Sequence, residues 1–180
     1  PIHSVAGDRA QVDFGFLGKV FDRTSNKMCR VWFFVMVLSY SRKMVVRLTL
    51  DQKANTWQRV HREAFEELGG VPRVIVPDNL KAAVVRAAFG HGDLPDLNRG
   101  YRELARHYGF KVDPTPAYDP KKKGKVESAV KYVKRNFAGP REFADIEDAN
   151  LQLRKWVDDI ANVRVHGSTQ LVPEQLFDEE

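Results

Sequence analysis

Three carboxylates in this chain stand where a carboxylate is costly or oddly placed. Asp13 sits inside Ala10-Gln-Val-Asp-Phe-Gly-Phe16, where Val12, Phe14 and Phe16 alternate with Gln11, Asp13 and Gly15. That alternation reads as a strand. Aspartate is depleted in strands and expensive to bury alone. Asp78 directly follows the apolar run Val71-Pro-Arg-Val-Ile-Val-Pro77, and the carboxyl end of a strand is where sites collect in open α/β sheets. Glu127 follows Pro120-Lys-Lys-Lys-Gly-Lys-Val126, so it is an acid at the expected start of a helix, behind a glycine hinge and a run of cations. Each has a plainer reading. Asp13 could face water on an edge strand, Asp78 could be an N-cap or Asx turn, and Glu127 could be a surface ion-pair partner.

Together the three offer hard oxygen ligands of the kind that suit Mg²⁺ or Mn²⁺. Two such ions roughly 4 Å apart can activate a nucleophile and stabilise a leaving oxygen on phosphorus. Phosphoryl transfer needs little beyond this and correct positioning. On the Glu127 helix, Glu127, Lys131 and Lys134 share one side by their spacing, while Val126, Val130, Val133 and Phe137 share the other and should bury. Lys131 and Lys134 are therefore candidates to hold a nucleic-acid backbone, and Lys123 and Lys125 in the preceding run are further ones. Surface lysines that solvate a loop are the bland alternative.

The elements that must position these residues follow in order. The polar stretch Lys19 to Asn26 reads as a turn. Arg30 to Ser39 is a β-rich run apolar on both faces, a central strand, and Lys43 to Leu50 is a third strand in an antiparallel meander. Asp51 to Gly69 carries a helical stripe of Ala54, Trp57, Val60, His61, Ala64, Phe65 and Leu68, with His61 and Trp57 read as packing residues. A strand over 71–77 then implies a parallel pairing through a right-handed crossover. Ala87 to Pro95 is loop-like. Asp96 is expected to cap a helix running to Tyr108, and Phe110 to Asp113 is a fifth strand. Pro114, Pro116 and Pro120 keep the approach to the lysines extended. After a break at Gly139-Pro140, a last amphipathic helix carries Ile146, Ala149, Leu153, Trp156, Val157 and Ile160 inward, and Asn162 to Glu180 reads as irregular.

Composition excludes several classes. With 180 residues, 43% of them hydrophobic, the chain can bury a core as one folded unit. Its longest apolar run, Val31 to Leu38, is strand-sized, so no membrane span is expected. The single Cys29 excludes an internal disulfide or a cysteine zinc cluster and suits a reducing cytoplasm. Net charge is +5, unevenly laid out: Tyr101 to Asn136 holds ten Lys/Arg against four Asp/Glu, and Arg141 to Glu180 holds four against ten. A basic middle suggests a polyanion partner, with a solvated face as the alternative. The missing initial methionine suggests a fragment.

The order of these elements resembles the RNase H-like fold of DDE transposases and retroviral integrases. Gln11-Val-Asp13-Phe, Pro77-Asp78-Asn79-Leu80-Lys81 and Lys123-Gly-Lys-Val-Glu127 resemble the three signature segments of IstA-type insertion-sequence transposases. Asn162-Val-Arg-Val-His-Gly-Ser-Thr169, with Pro173 and Phe177, is similar to the segment that follows the catalytic helix in that group. The resemblance implies an α/β, RNase H-like core over 1–140: a five-stranded mixed sheet, three antiparallel strands then parallel additions, flanked by helices. Residues 141–180 would form a C-terminal helix and tail on that core. It implies a metal-binding catalytic triad of Asp13, Asp78 and Glu127, with two Mg²⁺ or Mn²⁺ ions bridged by Asp13, and metal-dependent 3′-end cleavage followed by strand transfer. It also implies DNA (transposon ends and target) as partner, a homo-oligomer on DNA, an AAA+ helper ATPase of the IstB type, and a bacterial cytoplasmic, DNA-associated setting. The 49 residues from Asp78 to Glu127 exceed the spacing usual in retroviral integrases, and Ala87 to Pro95 is where the extra length is expected. Alternatives are a non-catalytic DNA-binding module of this fold and a simple nuclease of this fold.

Overall fold

A computed structural model describes residues 4–77, 98–113 and 124–180 throughout, and the backbone alone of 84–86, 96–97 and 120–123. β1 (Arg9–Asp22) pairs antiparallel with β2 (Lys27–Leu38), with Asp13 opposite Val35. β1 is longer than the polar composition of Lys19 to Asn26 suggests. Val20 on this stretch packs with Val31 and Ala149, and that burial carries the ladder past its polar neighbours. Only 23–26 turn, where the Asp22 carboxylate accepts from the Thr24 and Ser25 N–H groups. β3 (Met44–Thr49) extends the meander antiparallel to β2.

α1 (Ala54–Leu68) then crosses over the sheet to β4 (Val74–Pro77), which runs parallel to β1 with Pro77 opposite Val12. The stripe expected on α1 is the one that buries, with Trp57, Val60, His61, Ala64 and Phe65 inside. β5 (Val84–Arg86) and β6 (Asp96–Leu97) form a small antiparallel ladder of their own. The loop expected at 87–95 lies outside the described residues. Asp96 is in β6 and is not the helix cap. That role falls to Asn98, whose side-chain oxygen accepts from Gly100 N–H at 3.0 Å to open α2 (Arg99–Tyr108). β7 (Lys111–Val112) adds parallel to β4, giving the order β3-β2-β1-β4-β7. The mixed five-stranded sheet is thus the expected one.

Each sheet face has its own core. One carries Val12, Phe14, Phe34 and Met36 against Trp57, Phe65, Tyr101 and Leu104 of α1 and α2. The other carries Phe33, Val35, Val37 and Met44 against α3 (Pro120–Val133) and α4 (Ile146–Trp156). Both of these helices end in a π-helical turn, Lys134–Ala138 and Val157–Ala161. The wider turn changes which residues face inward. Phe137 remains fully buried, but after α4 it is Ala161 that buries, while Ile160, expected inside, is 46% exposed.

The tail is ordered too, contrary to its irregular reading. Asn162 is buried and reads β3 like a strand partner: its Oδ1 accepts from Met44 N–H and its Nδ2 donates to Met44 O, both at 3.0 Å. α5 (Pro173–Phe177) follows. The terminal Glu180 carboxylate accepts from the Gly7 and Ser41 N–H groups.

Two outcomes follow from this packing. Asn162→Ala leaves both backbone groups of Met44 without these partners and should cost about 2–3 kcal/mol, read by urea unfolding. His61 is fully buried between Trp57 O (2.7 Å from Nδ1) and the Tyr101 hydroxyl (3.3 Å from Nε2). Burial pushes its pKa down to about 4, against 6.5 in a free side chain, with the bond to Trp57 opposing the shift. Between these values the unfolded chain binds a proton that the folded chain does not, so stability falls as pH drops through that window. Unfolding measured at several pH values should show a shallower acid loss for His61→Gln than for the parent chain.

Candidate active site

Alternation along β1 divides its residues between the two cores. Val12 and Phe14 go to the α1 side, so Gln11, Asp13 and Gly15 go to the side covered by α3. Asp13 is half-buried there, with its Oδ1 accepting from Phe14 N–H at 2.7 Å. The ring of Phe33 lies across Gly15. A Cβ at Gly15 would come within 2.2 Å of it, so only glycine lets this ring close over the strand beside Asp13.

α3 begins earlier than the lysine run suggests. It starts at Pro120, so Lys121 to Lys125 are helical, Gly124 is inside the helix and not a hinge, and Glu127 lies just past the second turn, not at the opening. Of the side of α3 expected inward, Val126 and Val133 are buried and Val130 is half-buried, while Ala129, not expected there, is buried; Ala129 and Val133 pack against β2 and β3. The helix is also fastened to β1 by one buried polar contact, in which Val126 N–H donates to Gln11 Oε1 at 3.0 Å. This bond joins the residue two before Asp13 to the residue immediately before Glu127. Two acids far apart in sequence thereby belong to adjoining segments on one side of the sheet, and neither is without a partner.

The remaining expected residues divide. Pro77, at the end of β4, lies opposite Val12 in parallel register. Asp78 follows it in sequence and lies outside the described residues, as do Asn79, Lys81 and the side chain of Lys123. Lys131 and Lys134 are exposed along α3. Lys125 is tucked in. Its Nζ donates to Ser4 Oγ at 2.9 Å and Ser39 O at 3.4 Å, and burial, with Arg42 and Arg9 nearby, pulls its pKa down to about 8. Gln11 was not singled out from sequence as a functional residue. Its signal was there, since it shares the polar side of the first strand with Asp13.

Among the described residues no cluster of three metal-capable side chains occurs. Asp13 and Glu127 supply hard anionic oxygens, the donor chemistry that suits Mg²⁺ or Mn²⁺ over softer ions. The half-buried position of Asp13 in an apolar strand is the kind of burial a cation offsets. The residues present therefore fit a divalent cation.

Residues 4–120 match the integrase core domain family, and residues 108–173 match a second family of the same description. The chain is 34% identical over 174 residues to the transposase for insertion sequence element IS21-like of Bacteroides fragilis, covering 95% of this chain and 32% of that protein. It is 35% identical over 162 residues to the transposase for insertion sequence element IS21 of Pseudomonas aeruginosa, covering 89% of this chain and 40% of that protein. The chain thus spans well under half the length of these relatives. Its fold matches the HTLV-2 integrase catalytic core domain, solved in complex with magnesium, with a TM-score of 0.62 at 14% identity over 97% of this chain and 99% of that one. The fold class is accordingly RNase H-like.

Gln11→Ala removes the acceptor at Val126 N–H in a buried place and should destabilise the fold by about 1–3 kcal/mol. If the bond also sets where Glu127 stands, the same variant weakens Mn²⁺ binding measured by calorimetry at a temperature where it remains folded.

Proposed function

The chain belongs to the integrase core domain family, and on that footing we propose that it is the catalytic core of a bacterial insertion-sequence transposase, cutting DNA 3′ ends and joining them to target DNA. The observation that carries this reading is the Gln11–Val126 bond, which brings the strand of Asp13 and the helix of Glu127 together on one sheet face. Asp78, one residue beyond Pro77, is the third acid of the proposed set.

Asp13, Asp78 and Glu127 would hold two Mg²⁺ or Mn²⁺ ions. When bound, such ions supply positive charge at the scissile phosphate and an acidified water or hydroxyl as nucleophile. The residues of the chain do the rest by position. Water attacks the phosphodiester at the transposon end, the P–O3′ bond on the transposon side breaks, and a 3′-hydroxyl is freed. That hydroxyl then attacks a target phosphodiester, exchanging one P–O bond for another with no external energy source. Lys131 and Lys134, exposed beyond Glu127 on α3, would hold the DNA backbone near the acids, and Lys123 extends the same basic helix. Lys125 takes a different part, described below. Self-assembly on DNA and a helper ATPase of the IstB type go with this reading, as does action in the bacterial cytoplasm. No helix among the described residues is long and apolar enough to cross a membrane.

Strand transfer by the full-length transposase with Mg²⁺ tests it. Asp13→Asn, Asp78→Asn and Glu127→Gln should each lower joining by about a thousandfold or more while duplex binding in EDTA persists. A substitution that leaves joining at the parental rate removes that residue from the set. Cutting without joining would make the chain a nuclease of the same fold, and neither activity would make it a DNA-binding module.

A further inference from the structure

Glu127 stands on one side of α3, and a different side of the same helix lines a cavity of about 470 Å³. Ser128 and Tyr132 are roughly 100° or more around the helix from Glu127. Three cations and a histidine converge on this cavity from separate parts of the chain: Arg42 from the β2–β3 turn, Lys125 from α3, and Arg164 and His166 from the segment after α4. Among the described lining residues there is no carboxylate. The cavity of about 630 Å³ on the same molecule differs: Glu63, Glu66, Glu67, Asp158 and Glu174 outnumber Lys43, Arg47 and Arg154 in its wall, and Lys43 and Arg47 are already paired with those acids.

The cations are held in place. Arg164 lies over the Tyr132 ring, 3.8 Å from its centroid, and also donates to Ala161 O. Arg42 has a left-handed backbone, φ 67, a conformation that costs a non-glycine residue energy and recurs at functional positions. Its Nε and Nη1 are shielded from solvent and have no hydrogen-bond partner among the described residues. Buried guanidinium N–H groups without an acceptor are expensive, and an anion in the cavity would supply one. His166 Nδ1 accepts from Ser168 N–H at 3.2 Å, so its neutral ring carries the proton on Nε2 and is a donor there. Burial beside Arg164 and Arg42 keeps that ring neutral, with a pKa of about 4. The wall therefore presents donors and positive charge with no carboxylate in its described lining, the Glu180 carboxylate acting on Arg42 from outside it.

We propose that this cavity is a phosphate pocket that grips one backbone phosphodiester of a DNA strand, with Arg42, Lys125 and Arg164 as charged donors and His166 as a neutral one. The proposal rests on the reading of the chain as a transposase core. It adds a second point of hold on α3, so that a strand is fixed on one flank of the helix while Glu127 works from another. Phosphate contacts of this kind set register and orientation, and carry no sequence information.

The test is duplex binding by the chain across a series of KCl concentrations, without divalent metal, for the parent, Arg42→Gln, Arg164→Gln and His166→Gln. Thermal melting establishes that each variant is folded, and Arg42→Gln serves if loss of the Tyr132 stacking unfolds Arg164→Gln. Each arginine variant should lose about tenfold in affinity at fixed salt, equally for unrelated sequences, and lower the slope of log K against log salt by about 1. The His166 ring signals, identified by their loss in His166→Gln, should shift on adding duplex, and inorganic phosphate should shift the same signals at higher concentration. Unchanged affinity and slope in folded arginine variants overturn the pocket. So does a His166 response to inorganic phosphate with none to DNA, which would make the ligand a free phosphate compound. A parent that binds with the expected slope but neither cuts nor joins DNA under Mg²⁺ overturns the transposase reading and leaves the pocket standing. Full catalysis with unaltered binding in the variants does the reverse.

Discussion

A side-chain-to-backbone hydrogen bond, Gln11 Oε1 accepting from Val126 N–H, fastens α3 to the central strand. It is buried, so water cannot readily take its place. Apolar contacts of Ala129 and Val133 bring the helix against the sheet, but such contacts are non-directional and tolerate sliding. The polar bond is directional and fixes one helix position against one strand position. That registration sets the strand of Asp13 beside the helix of Glu127, two segments distant in sequence.

The sheet supplies the other half of the constraint. β1 lies between β2 and β4, antiparallel to one and parallel to the other. A central strand has no freedom to shift without reversing which of its residues meet each core. With Val12 and Phe14 held in the α1 core, Asp13 must face α3. Gly15 completes the arrangement by admitting the Phe33 ring, so the floor beside Asp13 is apolar and closed. A carboxylate in that setting is held by the fold, its Oδ1 accepting from Phe14 N–H at 2.7 Å, and the central place of β1 rules out a solvated edge.

Charge is partitioned along similar lines. The acidic C-terminal stretch is largely taken up in its own fold. Asp145 caps α4 and pairs with Arg23, Glu174 pairs with Lys43 at 2.8 Å, and Glu180 accepts from two backbone N–H groups near the start of the chain. Lys131 and Lys134 stay exposed.

Sequence periodicity determined the strand-rich first half, the buried stripe of α1, the mixed sheet and the inward side of α3, because each depends on local alternation or on residues three and four apart. It also marked Asp13 and Glu127 as acids in unusual company. Where it failed, longer-range packing was in control. β1 outran its turn signals because Val20 found Val31 and Ala149. α3 absorbed the lysine run, for helical residues are judged by the face they share and not by the charge of a segment. π-helical turns rephased the ends of α3 and α4, placing Ala161 inside and Ile160 outside. Asn162 and Glu180 became structural through backbone groups of Met44, Gly7 and Ser41, partners no local pattern announces. Only tertiary structure could join Gln11 to Val126, or gather Arg42, Lys125, Arg164 and His166 around one cavity. Hydrogen bonds and charge clusters between segments tens to more than a hundred residues apart depend on the closed fold, which local spacing does not reach.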